Sequence, residues 1–143
     1  VAGTDLQAAT ETLANRGFGK DAFILRIVAT VSNAGALINY TTAGLQVTQP
    51  TPNEYMINVD FVWRSSKTNS DVIFELEFDG SPVKTLMYRP GNAVSTQRHH
   101  ANILYSAQNL TTGTKLIGLN FGSGAGNNSA FLYEAIFSAW RIE

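Results

Sequence analysis

The stretch Tyr55-Met56-Ile57-Asn58-Val59-Asp60-Phe61-Val62-Trp63-Arg64 decides the fold class. Tyr55, Ile57, Val59, Phe61 and Trp63 fall on one side of a period-two pattern, and Met56, Asn58, Asp60, Val62 and Arg64 on the other. Successive side chains on a strand point to opposite faces, so this spacing describes a strand with one apolar face turned to a core. Downstream, Val72, Phe74, Leu76 and Phe78 alternate with Ile73, Glu75, Glu77 and Asp79. Asp79-Gly80 then supplies the dipeptide of a type I′ hairpin, whose two central residues both need positive φ. Residues 83–88 are the expected returning strand.

Outward from this centre the chain keeps the same grammar. Residues 22–31 are rich in Phe, Ile, Leu and Val and read as a buried strand. Residues 37–40 and 44–47 read as two short strands, and Pro50 and Pro52 punctuate a loop. Residues 65–70 form a polar turn and 90–97 a loop. Residues 99–107 and 115–121 are strands joined through the Thr112-Gly113 turn. Residues 122–128, with three glycines, read as a flexible connection. The last strand, 130–142, sets Phe131, Tyr133, Ala135, Phe137 and Ala139 on one side. Strands separated by turn signals every 8–12 residues or so indicate an all-β antiparallel sandwich.

Before residue 22 the pattern is helical. Thr4 is placed as an N-cap with Gln7 three residues on, the capping-box spacing. Leu6, Ala9 and Leu13 share one face, and Gly17 suits the left-handed position after the helix. The expected organisation is therefore an N-terminal helical arm over 1–21 and a sandwich, or jelly roll, over 22–143. So short a helix is marginal alone in water, so it must dock on its own domain or on a neighbouring subunit.

Composition narrows the function. The 143 residues fit one domain, and 44% hydrophobic content supports a core. Charged residues are 15%, below the usual share of about 25%. Asn, Thr, Ser, Gln and Gly take their place, a mix that suits β-strands and surfaces set against other subunits. Net charge is −1 with no clustered Lys and Arg, which argues against nucleic acid and against a polybasic membrane contact. No apolar run approaches 18 residues or so, and no charged-then-apolar leader opens the chain. The absence of cysteine removes disulfides, thiolate nucleophiles and Cys-based metal sites.

Candidate chemistry is sparse. His99 and His100 are adjacent on a strand and point to opposite faces, so one metal would not usually take both. Glu75, Glu77 and Asp79 could contribute oxygens to calcium, but a row of this kind is more often the solvated face of a sheet. Paired carboxylates for glycoside cleavage would need facing strands about 5–10 Å apart, and Asp60 is the only obvious partner. No Gly-x-Ser-x-Gly elbow occurs, and Gly122-Ser123-Gly124-Ala125-Gly126 lacks the Lys and the following helix of a phosphate loop. Asn39-Tyr40-Thr41, Asn109-Leu110-Thr111 and Asn127-Asn128-Ser129 match the glycosylation acceptor pattern, which an Asn- and Thr-rich chain also produces by chance. Tyr55, Trp63, Tyr88, Tyr105 and Trp140 could stack on a sugar, though alternation favours a core or a subunit seam for most of them. Trp140, off the Phe131–Ala139 side, is the exception. No cofactor and no enzymatic activity are expected.

Several motifs together resemble a known group. These are Tyr-x-Ile-x-Val-x-Phe-x-Trp at 55–63 and Phe74-Glu75-Leu76-Glu77-Phe78 before Asp79-Gly80. Gln97-Arg98-His99, Thr111-Thr112-Gly113-Thr114 and the terminal Ala139-Trp140-Arg141-Ile142-Glu143 complete the set. Over about the last 90 residues the layout resembles the small jelly-roll domains of tailed-phage virion proteins, found in capsid decoration (cement) proteins and fibre tips. These are similar in architecture to the tumour-necrosis-factor and C1q type of trimer. The resemblance implies a homotrimer on a virion, without enzymatic activity. Its partners would be itself, a major capsid or other virion protein, or a host surface glycan. On this reading Leu6, Leu13, Phe18, Tyr55, Trp63, His99 and Trp140 are the interface candidates, and Trp140, Tyr88 and Arg98 the ligand candidates. A capsid decoration protein and a fibre tip remain open as alternatives.

Overall fold

A computed structural model of the chain describes residues 22–90 and 97–142. The helix expected over residues 4–16, and with it Leu6, Leu13 and Phe18, lies outside the described residues. Eight strands follow in order: β1 (Phe23–Ala34), β2 (Ile38–Val47), β3 (Glu54–Ser65), β4 (Val72–Phe78), β5 (Ser81–Tyr88), β6 (His99–Gln108), β7 (Gly113–Ser123) and β8 (Ser129–Arg141). They form two four-stranded antiparallel sheets, ordered β1-β8-β3-β6 and β2-β7-β4-β5. Every connection except the β4–β5 hairpin crosses from one sheet to the other, which is the winding of a jelly roll.

The deciding stretch behaves as its period requires. Tyr55, Ile57, Val59, Phe61 and Trp63 of β3 are buried, as are Val72, Phe74, Leu76 and Phe78 of β4. The two rows meet between the sheets, where the Phe61 and Phe74 rings lie 4.6 Å apart. Asp79 and Gly80 both have positive φ, 52° and 86°, so the hairpin is the two-residue turn that the dipeptide specifies.

The strand expected to be buried over residues 22–31 is instead the edge strand β1, none of whose residues is fully buried, because only β8 pairs with it. Three further sequence expectations are corrected by the structure. Residues 37–40 and 44–47 belong to one strand, β2, which carries an extra residue at Tyr40 between the pairs Asn39↔Asn120 and Thr41↔Leu119. The bulge presents the Tyr40 ring edge-on to Phe121 and lets its hydroxyl donate to Ala29 O at 2.7 Å. The connection at 122–128 is not free: Gly122 and Ser123 are buried at the end of β7. A Cβ on Gly122 would stand 2.5 Å from Gly35 O, so only glycine lets the β1–β2 turn cross there.

The third correction concerns β8. Val62 pairs with Glu134 and Trp63 with Leu132, so Tyr133 is an extra residue. One inserted residue shifts the alternation between faces. Ala135, Phe137 and Ala139 therefore point inward with Ala130 and Leu132, while Phe131 and Tyr133 stand only half-buried on the outer face.

Candidate functional surface

Three of the candidates, Trp63, Tyr88 and His99, come together where the edges of the two sheets meet. Trp63 is 3% exposed. The His99 ring stacks on it at 4.5 Å and 27°, and the Tyr88 ring at 5.3 Å and 20°. Phe74 lies 5.5 Å from it. The stack bridges β6, β3 and β5, and so both sheets. The Trp63 indole Nε1 is buried with no hydrogen-bond partner. Tyr55 and Trp63 were candidates for a subunit interface; their burial in this chain's own core leaves no surface to offer a second subunit. His99 turns inward onto the stack, and His100 turns outward.

The outer face of the β1-β8-β3-β6 sheet is divided along the strands. At one end Ile24, Trp140 and Ile142 are exposed and Met56 is half-buried beside Trp140. Ile24 and Trp140 wall an open apolar depression of about 560 Å³, with Ala22, Phe23, Ser138 and Ala139 completing it. In the middle the face is polar. Arg26 Nε pairs with Glu134 Oε1 at 2.8 Å and holds that carboxyl below its ordinary range. Asn58 Nδ2 donates to Asp60 Oδ2 at 2.8 Å, and Asn102 Nδ2 to Asp60 Oδ1 at 3.1 Å. Asp60, His100 and Asn102, with Ile136, Ala101 and Tyr88, line an open groove of about 510 Å³ at the β6 edge.

At the far end the bulge sets up an arginine–aromatic ladder. Phe131 and Tyr133 stack at 6.4 Å, the Arg64 guanidinium sits 4.0 Å over Phe131, and Arg98 sits 3.8 Å over Tyr133. Arg64 Nε also donates to Tyr133 Oη at 2.8 Å. The ligand candidates are thus not one site. Trp140 pairs with Met56, seven residues along β3 from the Trp63 that Tyr88 covers, a separation of about 23 Å at strand rise. Arg98 and Tyr88 lie nearer the same end, Arg98 over Tyr133 and Tyr88 against Trp63.

On the other sheet, Glu75 and Glu77 face outward, and Glu75 Oε1 accepts from Asn120 Nδ2 at 3.2 Å. Asn120 in turn accepts from Asn39 at 3.0 Å, so the first glycosylation triplet lies within a strand, its amide engaged. Among the described residues no group of three or more His, Asp or Glu side chains is placed to hold a metal ion.

No protein-family model and no curated protein sequence matches the chain. Solved structures do match its fold. A structure of infectious bursal disease virus, Gt strain, shares 13% identity at a TM-score of 0.56, over 84% of this chain and 33% of that one. The infectious bursal disease virus VP2 subviral particle shares 16% at 0.52, over 87% and 33%. Dimeric latent PorU from Porphyromonas gingivalis shares 7% at 0.51, over 83% and 12%. The chain spans about a third of the virus chains it matches. At these identities the likeness is one of fold: this chain is a jelly roll similar to a domain of viral capsid protein.

Proposed function

We propose that the chain is a non-enzymatic structural protein of a virion, a homotrimeric capsid decoration protein that stabilises a phage head. The observation that carries this reading is the edge strand β1. It runs 12 residues, has one charged side chain, and exposes Val28 to 67%. Long apolar edges are templates for another chain, and monomeric proteins blunt them with charge, proline, bulges or brevity; β1 has a register shift between Val28 and Val31 but no proline and only Arg26 as a charge. The likeness to infectious bursal disease virus chains from subviral and derived particles supports the same direction. Light scattering on the purified protein should give a trimer that co-sediments with assembled shells. Val28→Lys should return it to a monomer with its β-sheet circular dichroism intact. A wild-type monomer that ignores shells would overturn the reading.

A second reading, a receptor- or carbohydrate-binding tip of a fibre or spike, draws on the Asp60–His100–Asn102 groove beside Tyr88. Fixed carboxylate and amide groups next to a ring suit sugar hydroxyls and a sugar face. Glycan binding that is lost in Asp60→Ala, with shells left unbound, would favour it over decoration.

A further inference from the structure

The outer face of the β1-β8-β3-β6 sheet gathers two cations at the end away from Trp140. Arg64 follows Trp63 and Arg98 precedes His99, the last pair of the β3–β6 register. Their guanidiniums lie 4.0 Å over Phe131 and 3.8 Å over Tyr133, and those rings are 6.4 Å apart. Two positive charges are thus held near each other on half-buried rings. Arg98 is exposed and has no ion-pair partner among the described residues. An aromatic ring takes the flat face of a guanidinium and leaves its N–H edge for an oxyanion, which two parallel N–H groups can grip at once.

The carboxylates of this face leave that end positive. Glu134, next to Tyr133 in sequence, is paired with Arg26 at 2.8 Å. Asp60 accepts from Asn58 and Asn102 and stands four residues from Arg64 along β3. At strand rise that is about 13 Å, beyond the screening length of about 8–10 Å in ordinary salt. The arginines also adjoin the groove already described. His100, in the groove wall, is two residues from Arg98, about 7 Å at strand rise. A smaller hollow of about 100 Å³ shares Asp60, His100 and Ile136 with the groove and reaches Glu134, beside the ladder.

We propose that Arg64 and Arg98 bind the acidic group of a glycan whose neighbouring sugar lies in the Asp60–His100–Asn102 groove. The ligand is then an acidic glycan, with a carboxylate or sulfate on the sugar beyond the groove. The inference rests on the carbohydrate-binding reading and adds the ligand's charge to it. Two guanidiniums suit a single oxyanion, and a net charge of −1 supplies no wider attraction for a polyanion.

Binding of the full chain to an array of glycans in matched neutral, carboxylated and sulfated forms tests it. Acidic members should bind about ten-fold or more tighter than their neutral counterparts, the worth of one charge-assisted hydrogen bond. Added salt should narrow the gap. Tighter binding of either acidic arm supports the proposal and names the oxyanion. Arg98→Gln, at an exposed position, should bring the acidic members down to the neutral level with circular dichroism unchanged. Arg98→Lys, which keeps the charge without the fork, should fall between. An acidic preference that survives in Arg98→Gln overturns the proposal, as do neutral members bound as tightly as acidic ones. If that neutral binding is lost in Asp60→Ala, the groove reading stands without the arginines. An array with no binding in any arm overturns both.

Discussion

The indole of Trp63 and the imidazole of His99 stack at 4.5 Å although 36 positions separate them in sequence. The contact exists because β3 pairs with β6 with Trp63 directly opposite His99. Directly opposed rings on one face of an antiparallel pair contribute beyond the area they bury. Trp63→Ala should therefore destabilise by about 3–5 kcal/mol, the usual range for a buried aromatic. Trp63→Phe should cost less than that, because a single ring still fills part of the stack and the lost N–H had no acceptor. Urea unfolding of the two variants measures the difference. Equal losses would show that the indole nitrogen has a partner after all.

Asn128 ties two turns together. Its Oδ1 accepts from Ser65 Oγ and Ser66 Oγ at 3.0 Å each and from Lys67 N at 3.1 Å. Ser123 Oγ donates to its carbonyl at 2.6 Å. Asn128→Ala removes this shared acceptor; Ser65 Oγ keeps Lys67 O at 2.7 Å and Lys67 N keeps Ser65 Oγ at 3.3 Å, while Ser66 Oγ loses the bond to Oδ1. The expected loss is about 1–3 kcal/mol, the usual cost of leaving a buried polar group unpaired. Asn127→Ala, at the exposed neighbour, should stay within about 0.5 kcal/mol of wild type. Thermal unfolding of both checks the contrast.

Arg141 is 6% exposed, points between the sheets, and has no ion-pair partner among the described residues. Its Nε is buried without a hydrogen bond. An N–H removed from water without an acceptor costs stability. Arg141→Met keeps the length and removes the charge, and should raise stability by about 1 kcal/mol or more. A lower melting temperature would mean that the guanidinium has a partner of real strength.

Glu134 gives the acid dependence a sign. Its carboxyl is held below the ordinary 4.5, first by the hydrogen bond from Arg26, with the charges of Arg26 and His100 adding to it. A group with a depressed folded value stabilises above its unfolded value and loses that contribution as pH falls through the folded one. Between about pH 5 and 3 the wild type should therefore lose more melting temperature than Arg26→Met. The pair is exposed, so added salt should shrink the gap. Parallel acid curves for the two proteins would remove the pair from the account.

Much of the sandwich could be read directly from the chain. The period of β3 and β4, the Asp79-Gly80 turn and the opposite directions of His99 and His100 all follow from local alternation and turn chemistry. What local reading missed is what depends on register between distant strands. A bulge leaves no mark on its own strand: Tyr133 looks inward by count, and only the pairing with Trp63 and Val62 shows that the face has shifted. Gly122 looked like a loop glycine because its constraint comes from Gly35, across the sheet. The Tyr88–Trp63–His99 stack joins three strands that only the jelly-roll winding brings together. Tyr55 and Trp63 are interface candidates in the sequence because a period-two row does not say whether a chain's own second sheet or another subunit covers it.

The extra residue at Tyr133 bears on how this chain tolerates changes of length. Excising Tyr133 alone would leave Ala130 and Leu132 inward, Phe131 and Glu134 outward, and the pairing with β3 continuous. Removing Leu132 or Ala135 instead would also restore the alternation, but with Tyr133 or Glu134 turned into the core. A shortened relative with this fold is thus expected to have its gap at this position, with loss of the arginine–aromatic ladder and an undisturbed core.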